Sequence, residues 1–249
     1  MELLPPELLA EIINHIPDDK SLRNCSLVAK SWVYPSQRCI FRAVNVSRTT
    51  RLKSWSETIS PTNIEVLQHV RSLTYNIANT PGSRHPPLDF LRDYSPSLPH
   101  LKRLIFFSGF LPSPTQLGTY SPFQRSLSFI SLWGCSVTVS RLVTLVNYFP
   151  NLAHLELMGL SHKVDGRPAL PFSRPLQKLT VTDLYTNGGL VLLDQLMGLH
   201  PQCDEVAIGM YATSCPSLAQ RVIDGVKANV KRLNLKSNLA CAFSVPTMA

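Results

Sequence analysis

One short pattern constrains this chain more than any other: apolar-x-x-apolar-x-apolar. It recurs as Val70/Leu73/Tyr75, Leu101/Leu104/Phe106, Leu127/Ile130/Leu132, Leu152/Leu155/Leu157, Leu176/Leu179/Val181, Cys203/Val206/Ile208 and Val230/Leu233/Leu235. Successive middle positions lie 24 to 31 residues apart. Two apolar residues at i and i+2 mark one buried face of a strand, because side chains alternate. A strand that returns at this period, with a crossover between copies, gives parallel strands and right-handed connections. No single copy can bury its own face, so neighbouring copies must stack.

The segments between the strands agree. Residues 138–148 (Leu142, Val143, Leu145, Val146), 189–199 and 216–228 (Leu218, Val222, Ile223, Val226) carry helical spacing. Residues 79–87 and 112–126 are rich in Pro, Ser, Gly and Thr and read as loops or insertions. The period resembles that of leucine-rich repeats. Their fuller signature adds Asn or Cys three residues after the last apolar position. Cys135 and Asn238 meet it, whereas Ala78, Gly109, Leu160, Leu184 and Tyr211 do not, so the repeat is degenerate. The resemblance implies a curved α/β solenoid over residues 70–249, with about seven repeats, parallel strands and outer helices.

Alternation along each strand then names a solvent-facing set. Arg103, Ile105, Phe107, Phe129, Trp133, His154, Met158 and Lys178 are the candidate target-binding residues on the concave face. Aromatic and Met side chains there are the usual material of binding hot spots. A register slip of one residue would swap the faces, and an insertion such as 112–126 folding over the strands would cover this one.

Residues 1–45 read as a separate small all-α unit. Pro5 and Pro6 precede Glu7 and a stripe of Leu8, Leu9, Ile12, Ile13 and Ile16. Pro17 stops that helix. Asp18, Asp19 and Ser21 offer caps for a second, with Leu22, Cys25 and Val28 following at three-residue steps. Trp32 and Val33 end that segment, and Pro35-Ser36 opens a last turn carrying Ile40, Phe41 and Val44. So small a unit buries little surface alone and needs a partner.

The run Leu4-Pro5-x-Glu7-Leu8-x-x-x-Ile12, then Leu22-x-x-Cys25-Ser26-x-Val28, then Lys30-x-Trp32 and Phe41, resembles an F-box over nearly all of residues 3–45. The resemblance implies docking on the Skp-type adaptor of a cullin–RING ubiquitin ligase. Leu4, Pro5, Leu8, Ile12, Leu22, Val28 and Trp32 are the implied adaptor-binding residues. Residues 46–69 read as a helical connector, with Leu52, Trp55 and Ile59 at helical spacing.

Composition excludes several classes. Hydrophobic residues make up 44% and charged residues 16% of 249, which excludes wholesale disorder. The best apolar stretch, 188–199, holds Asp194 and Gln195 and is too short to span a membrane. The acidic, proline-bearing start is unlike a secretory signal, so the expectation is an intracellular protein, cytoplasmic or nuclear. Six scattered cysteines form no C-x-x-C pair and read as free thiols. No nucleophile elbow, P-loop, dinucleotide fingerprint or H-E-x-x-H motif is present, so the expectation is a binding protein without enzymatic chemistry, cofactor or metal. Net charge is +8, all of it contributed beyond residue 45 and without a run of like charge. That excess leaves a second reading open, a repeat scaffold for an acidic protein or nucleic acid with no ligase role.

Overall fold

The computed structural model describes residues 4–47, 64–76, 93–111, 114–163, 170–182, 187–199, 201–210, 224 and 230–237. They fall into two compact units, Met1–Phe107 with Thr115–Ser128, and Ser108–Pro114 with Phe129–Ala249. Helices come first, followed by parallel strands with helical segments between them, an α/β fold.

In the first unit, α1 (Pro6–Asn14) begins with proline in its first turn, where the missing N–H costs nothing. The second helix, α2 (Asp19–Val28), is capped by Asp18, whose carboxylate accepts from the Ser21 N–H at 2.8 Å. That bond, the largest influence on the group, holds Asp18 below the usual carboxylate range. The third, α3 (Lys30–Ile40), runs through Pro35. A break at Pro35 was the expectation, because an interior proline forfeits a helix bond. Packing of Trp32 before it and Cys39 and Ile40 after it, all against Leu9, Ile13 and Leu22, keeps both halves in one helix.

A strand runs across the expected boundary at 45. Ala43–Ser47 is β1, and it pairs in parallel with β2 (Ser72–Asn76). Val44 and Val46 are buried opposite Leu73 and Tyr75. Phe41-x-x-Val44-x-Val46 is thus an eighth copy of the template, hidden behind the helical pattern that precedes it. The expected connector also holds a 3₁₀ helix, Ile64–His69, which buries Leu67 and His69. The helical spacing of Leu52, Trp55 and Ile59 lies outside the described residues.

Strand β3 (Arg103–Phe110) follows, with Leu104 and Phe106 paired to Leu73 and Tyr75. The expected loop at 112–126 is instead largely a 3₁₀ helix, Pro114–Phe123. Its Leu117, Tyr120 and Phe123 are buried, and a 3₁₀ helix turns every three residues, so all three share one side.

The second unit holds β4 (Phe129–Val137), α4 (Val139–Tyr148), β5 (His154–Met158), a short β6 (Ser161–His162), β7 (Leu176–Thr182), α5 (Asn187–Gly198), β8 (Cys203–Met210) and β9 (Val230–Ser237). All the strand pairs in it are parallel. The template's middle positions are register partners: Ile130 with Leu155, Leu155 with Leu179, Leu179 with Val206, Val206 with Leu233. Thr138 caps α4, accepting from the Arg141 N–H at 3.3 Å, and Leu142, Val143, Leu145 and Val146 are buried. At matching register positions Gly134 within β4 (φ 59°) and Gly159 just after β5 (φ 57°) take a left-handed backbone that glycine adopts without strain. Only the last strand departs, since Leu233 is half-buried and Leu235 is 42% exposed. The expected helix at 216–228 falls almost wholly outside the described residues, as does the tail after Ser237.

Candidate functional site

The residues singled out by sequence fall on a helical surface of the first unit and on strand faces within each unit. The first is helical. Leu9 and Ile13 of α1 face inward with Leu22, while Leu4, Leu8 and Ile12 stay 53, 53 and 48% exposed. Residues four apart lie on one face of a helix, so Leu8 and Ile12 share an outward face of α1, and Leu4 is exposed just before the helix begins. Pro5 is exposed beside it, and Val28 is exposed at the end of α2. Leu22 is a correction: at 4% exposure it is the centre of the helical core and cannot reach a partner. Its place on the Leu22/Cys25 stripe turns it inward. Trp32 is half-buried and packs on that core.

Sequence reasoning missed Leu27 and Tyr34, which are 84 and 60% exposed. Leu27 falls off the Leu22/Cys25 stripe at helical spacing, a signal that could have placed it on the open side. Tyr34 borders a shallow hollow of about 380 Å³ lined also by Leu4, Leu9, Ala10 and Pro35. An apolar patch of this kind on a small unit marks an interaction site.

The second surface is the strand face opposite the buried pairs. The alternation predicted it correctly: the template residues of β2 to β8 are buried, and their neighbours form the other face. In the first unit Ile105 and Phe107, both half-buried, stand beside Thr74 and Asn76. Arg103 is exposed at the start of β3. In the second unit Phe129, His154, Lys178, Glu205 and Arg232 form one cross-strand row. Ser131, Glu156, Thr180, Ala207 and Asn234 form the next, and Trp133, Met158 and Thr182 begin a third.

Each row has its own chemistry. Phe129 and His154 meet edge to face with ring centres 6.3 Å apart. Glu205 accepts from Lys178 Nζ at 2.7 Å and lies 3.5 Å from Arg232. The Lys178 hydrogen bond, helped by the charges of Lys178, Arg232 and His154, holds Glu205 below the usual carboxylate range. In the middle row Ser131 is fully buried although it sits on the outer face. Its hydroxyl donates to Glu156 Oε2 at 2.7 Å and accepts from Trp133 Nε1 at 2.5 Å. Glu156 and the indole therefore lie across Ser131 and are fixed by it. Trp133 is a positioned side chain rather than a free knob.

These rows offer aromatic and thioether area beside ordered charge, the mixture found at protein interfaces. Among the described residues no group of three His, Cys, Asp or Glu side chains could hold a metal ion. Cys135 and Cys203 are buried free thiols, and burial pushes Cys203 up to about 11, so it stays protonated near neutrality. Among those residues, too, no helix is long and apolar enough to cross a membrane. In comparisons with known proteins, no protein-family model matches the sequence and no curated protein matches it significantly.

Proposed function

We propose that this chain is the substrate-recognition subunit of a cullin–RING, SCF-type ubiquitin ligase. The three helices dock a Skp-type adaptor as an F-box, and the strands, a degenerate leucine-rich-repeat solenoid, hold a target protein. The observation that carries this reading is the division of α1. Leu9 and Ile13 make the helical core while Leu4, Leu8 and Ile12 are left outside it. A helix that served only its own core would not expose Leu8 and Ile12 on one face, with Leu4 exposed as well just before it. Leu4, Pro5, Leu8, Ile12 and Val28 form the docking face, joined by Leu27 and Tyr34 and supported from below by Leu22 and Trp32.

The strand face supplies the target contacts, with Trp133 and Met158 as apolar anchors and Lys178, Glu205 and Arg232 as the charged edge. The chain performs no bond chemistry in this scheme. It raises the effective concentration of target lysines near the ligase, in the cytoplasm or nucleus. Co-expression with a Skp-type adaptor tests the docking half. The full chain is expected to co-purify with it, and the Leu8→Glu/Ile12→Glu variant to lose capture with an unchanged melting temperature. Failure of the folded wild-type chain to capture the adaptor overturns the reading. Point substitutions are preferred to removal of residues 1–45, which would cut β1 in half.

A further inference from the structure

The first unit contains a second feature, of which only Arg103 belongs to the candidate target-binding set. Parallel register places Ala43, Ser72 and Arg103 side by side at the starts of β1, β2 and β3. The residue before each is basic: Arg42, Arg71 and Lys102. Backbone bonds fix this row. Arg71 N–H and Ser72 N–H both donate to the Arg42 carbonyl, at 2.9 and 3.0 Å, and Lys102 and Arg103 N–H both donate to the Arg71 carbonyl, at 2.9 Å each. Adjacent strands lie about 4.8 Å apart, so three cations stand in a row about 10 Å long. Arg38, one helical turn before Arg42 in α3, and Arg103 add two more.

All five border one hollow of about 620 Å³, together with His69, and Asp19 is the single acid in its lining. No ion pair joins Arg38, Arg42 or Lys102 to an acid among the described residues. Arg71 is held in place by two bonds from one nitrogen, Nη1 to the Gln68 carbonyl at 2.6 Å and to the Val70 carbonyl at 3.3 Å. Burial and the guanidinium groups of Arg38 and Arg42 push Arg71 below the ordinary arginine value, which registers the mutual repulsion. Structure alone accounts for part of this set. Arg38 complements the negative end of α3, and Arg71 ties the end of the 3₁₀ helix. Neither reason applies to Arg42 or Lys102, which are exposed and gain nothing from each other's company.

We infer that the hollow at the starts of β1, β2 and β3 binds a compact molecule carrying several linked phosphate groups, held by Arg38, Arg42, Arg71, Lys102 and Arg103. Guanidinium forks match phosphate oxygens two at a time, which suits a cluster that is four parts Arg to one part Lys. The hollow has the volume of a small-ligand site. All five cations line one short hollow rather than a long groove, which favours a compact oligophosphate over a nucleic-acid strand or an acidic polypeptide. The inference does not depend on the ligase reading and has separate readouts.

The test uses the full chain in phosphate-free buffer with inorganic triphosphate as the probe, by calorimetry and thermal shift. Saturable binding that raises the melting temperature and weakens with salt is expected. Inorganic monophosphate, which reaches fewer cations, should bind about tenfold more weakly or worse. Arg42→Gln and Lys102→Gln should each weaken triphosphate binding about tenfold. Both sites are exposed, so the fold should survive. Arg42→Lys should keep most of the affinity, and Arg141→Gln on exposed α4 should change nothing. A nucleoside triphosphate arm separates the sources: equal affinity points to a free oligophosphate, tighter binding to a nucleotide. Absence of triphosphate binding to the folded chain overturns the inference, and so does binding indifferent to Arg42→Gln and Lys102→Gln. A single-stranded oligonucleotide or an acidic peptide that binds through these residues and is not displaced by triphosphate overturns it as well.

Discussion

The helices and the strands spend their apolar residues in opposite ways. Of nine large apolar side chains that remain exposed among the described residues, five (Leu8, Ile12, Leu27, Val28, Tyr34) belong to α1, α2 and α3, and a sixth, Leu4, lies just before α1. The much longer strand region exposes only Leu170, Val191 and Leu235. The helical core has three enclosed members, Leu9, Ile13 and Leu22, while every strand from β1 to β8 except the two-residue β6 contributes an enclosed pair. The difference teaches which region is built to hold itself together and which to hold something else. The largest effect expected from it concerns binding. Leu8→Glu with Ile12→Glu should reduce adaptor capture more than 100-fold, as loss of hot-spot contacts does. Measured in the same preparation, an unchanged melting temperature confirms that the stripe is spare to the fold. A collapse of the helical signal would make it part of the core and remove the contrast.

Stability sharpens the same comparison. Leu155→Ala, at a fully enclosed site in β5, should cost about 2–5 kcal/mol, whereas Leu8→Ala should stay within about 0.5 kcal/mol. Denaturant titration of both variants checks the pair, and equal costs would erase the distinction.

Much of this was legible beforehand because burial and period are linear properties. The seven template copies fall at strands, and within each unit their middle residues pair as the spacing requires. What was missed depends on neighbours in space or on unfamiliar periods. The eighth copy at Phe41/Val44/Val46 follows directly on a helix pattern, which absorbed it. Leu117, Tyr120 and Phe123 repeat every three residues, a 3₁₀ period, inside a stretch whose Pro, Ser and Gly content suggests a loop. Pro35 reads as a helix stop until packing on both sides is known. The cationic row is invisible to a search for charge runs, because Arg42, Arg71 and Lys102 are each one repeat apart in sequence and one strand apart in space. Among the candidate site residues Leu22 is the one enclosed in a core, because its neighbours at helical spacing turn it inward.

On the strand face, Ser131→Ala should cost about 1–3 kcal/mol, the penalty for leaving the Trp133 N–H and Glu156 without their shared partner. Indole fluorescence should shift as the ring is released. An equal stability and an unmoved spectrum would mean that Ser131 does not position Trp133. Along the strand order, hydrogen exchange should open β9 before β4 and β5, because Leu235 is exposed where Leu132 and Leu157 are enclosed. Equal protection of 230–237 and 154–158 would show that β9 is as well covered as the centre.

The smallest effect separates the regions by pH. His69, buried at the end of the 3₁₀ helix before β2, packs edge to face on Tyr34 with ring centres 5.1 Å apart and shares its hollow with Arg38 and Arg71. Burial first, then the Arg71 and Arg38 charges, push its pKa below the ordinary histidine value. The unfolded chain then binds a proton that the folded chain refuses. Folding stability must fall as pH drops through the unfolded histidine range, about 6.5, and must go on falling until His69 protonates in the folded state. Asp18 acts in a separate window. Its folded value lies below the unfolded one, so its contribution is intact above about pH 4 and is lost only as pH falls further. A melting-temperature profile between pH 8 and 5 should therefore slope downward toward acid, and His69→Gln should flatten it in that interval. A bound oligophosphate should also flatten it, since an anion in the hollow offsets the charges that make protonated His69 costly. If His69→Gln left the acid slope of the wild-type chain unchanged, the slope would belong to other groups and His69 would be no sensor of its hollow.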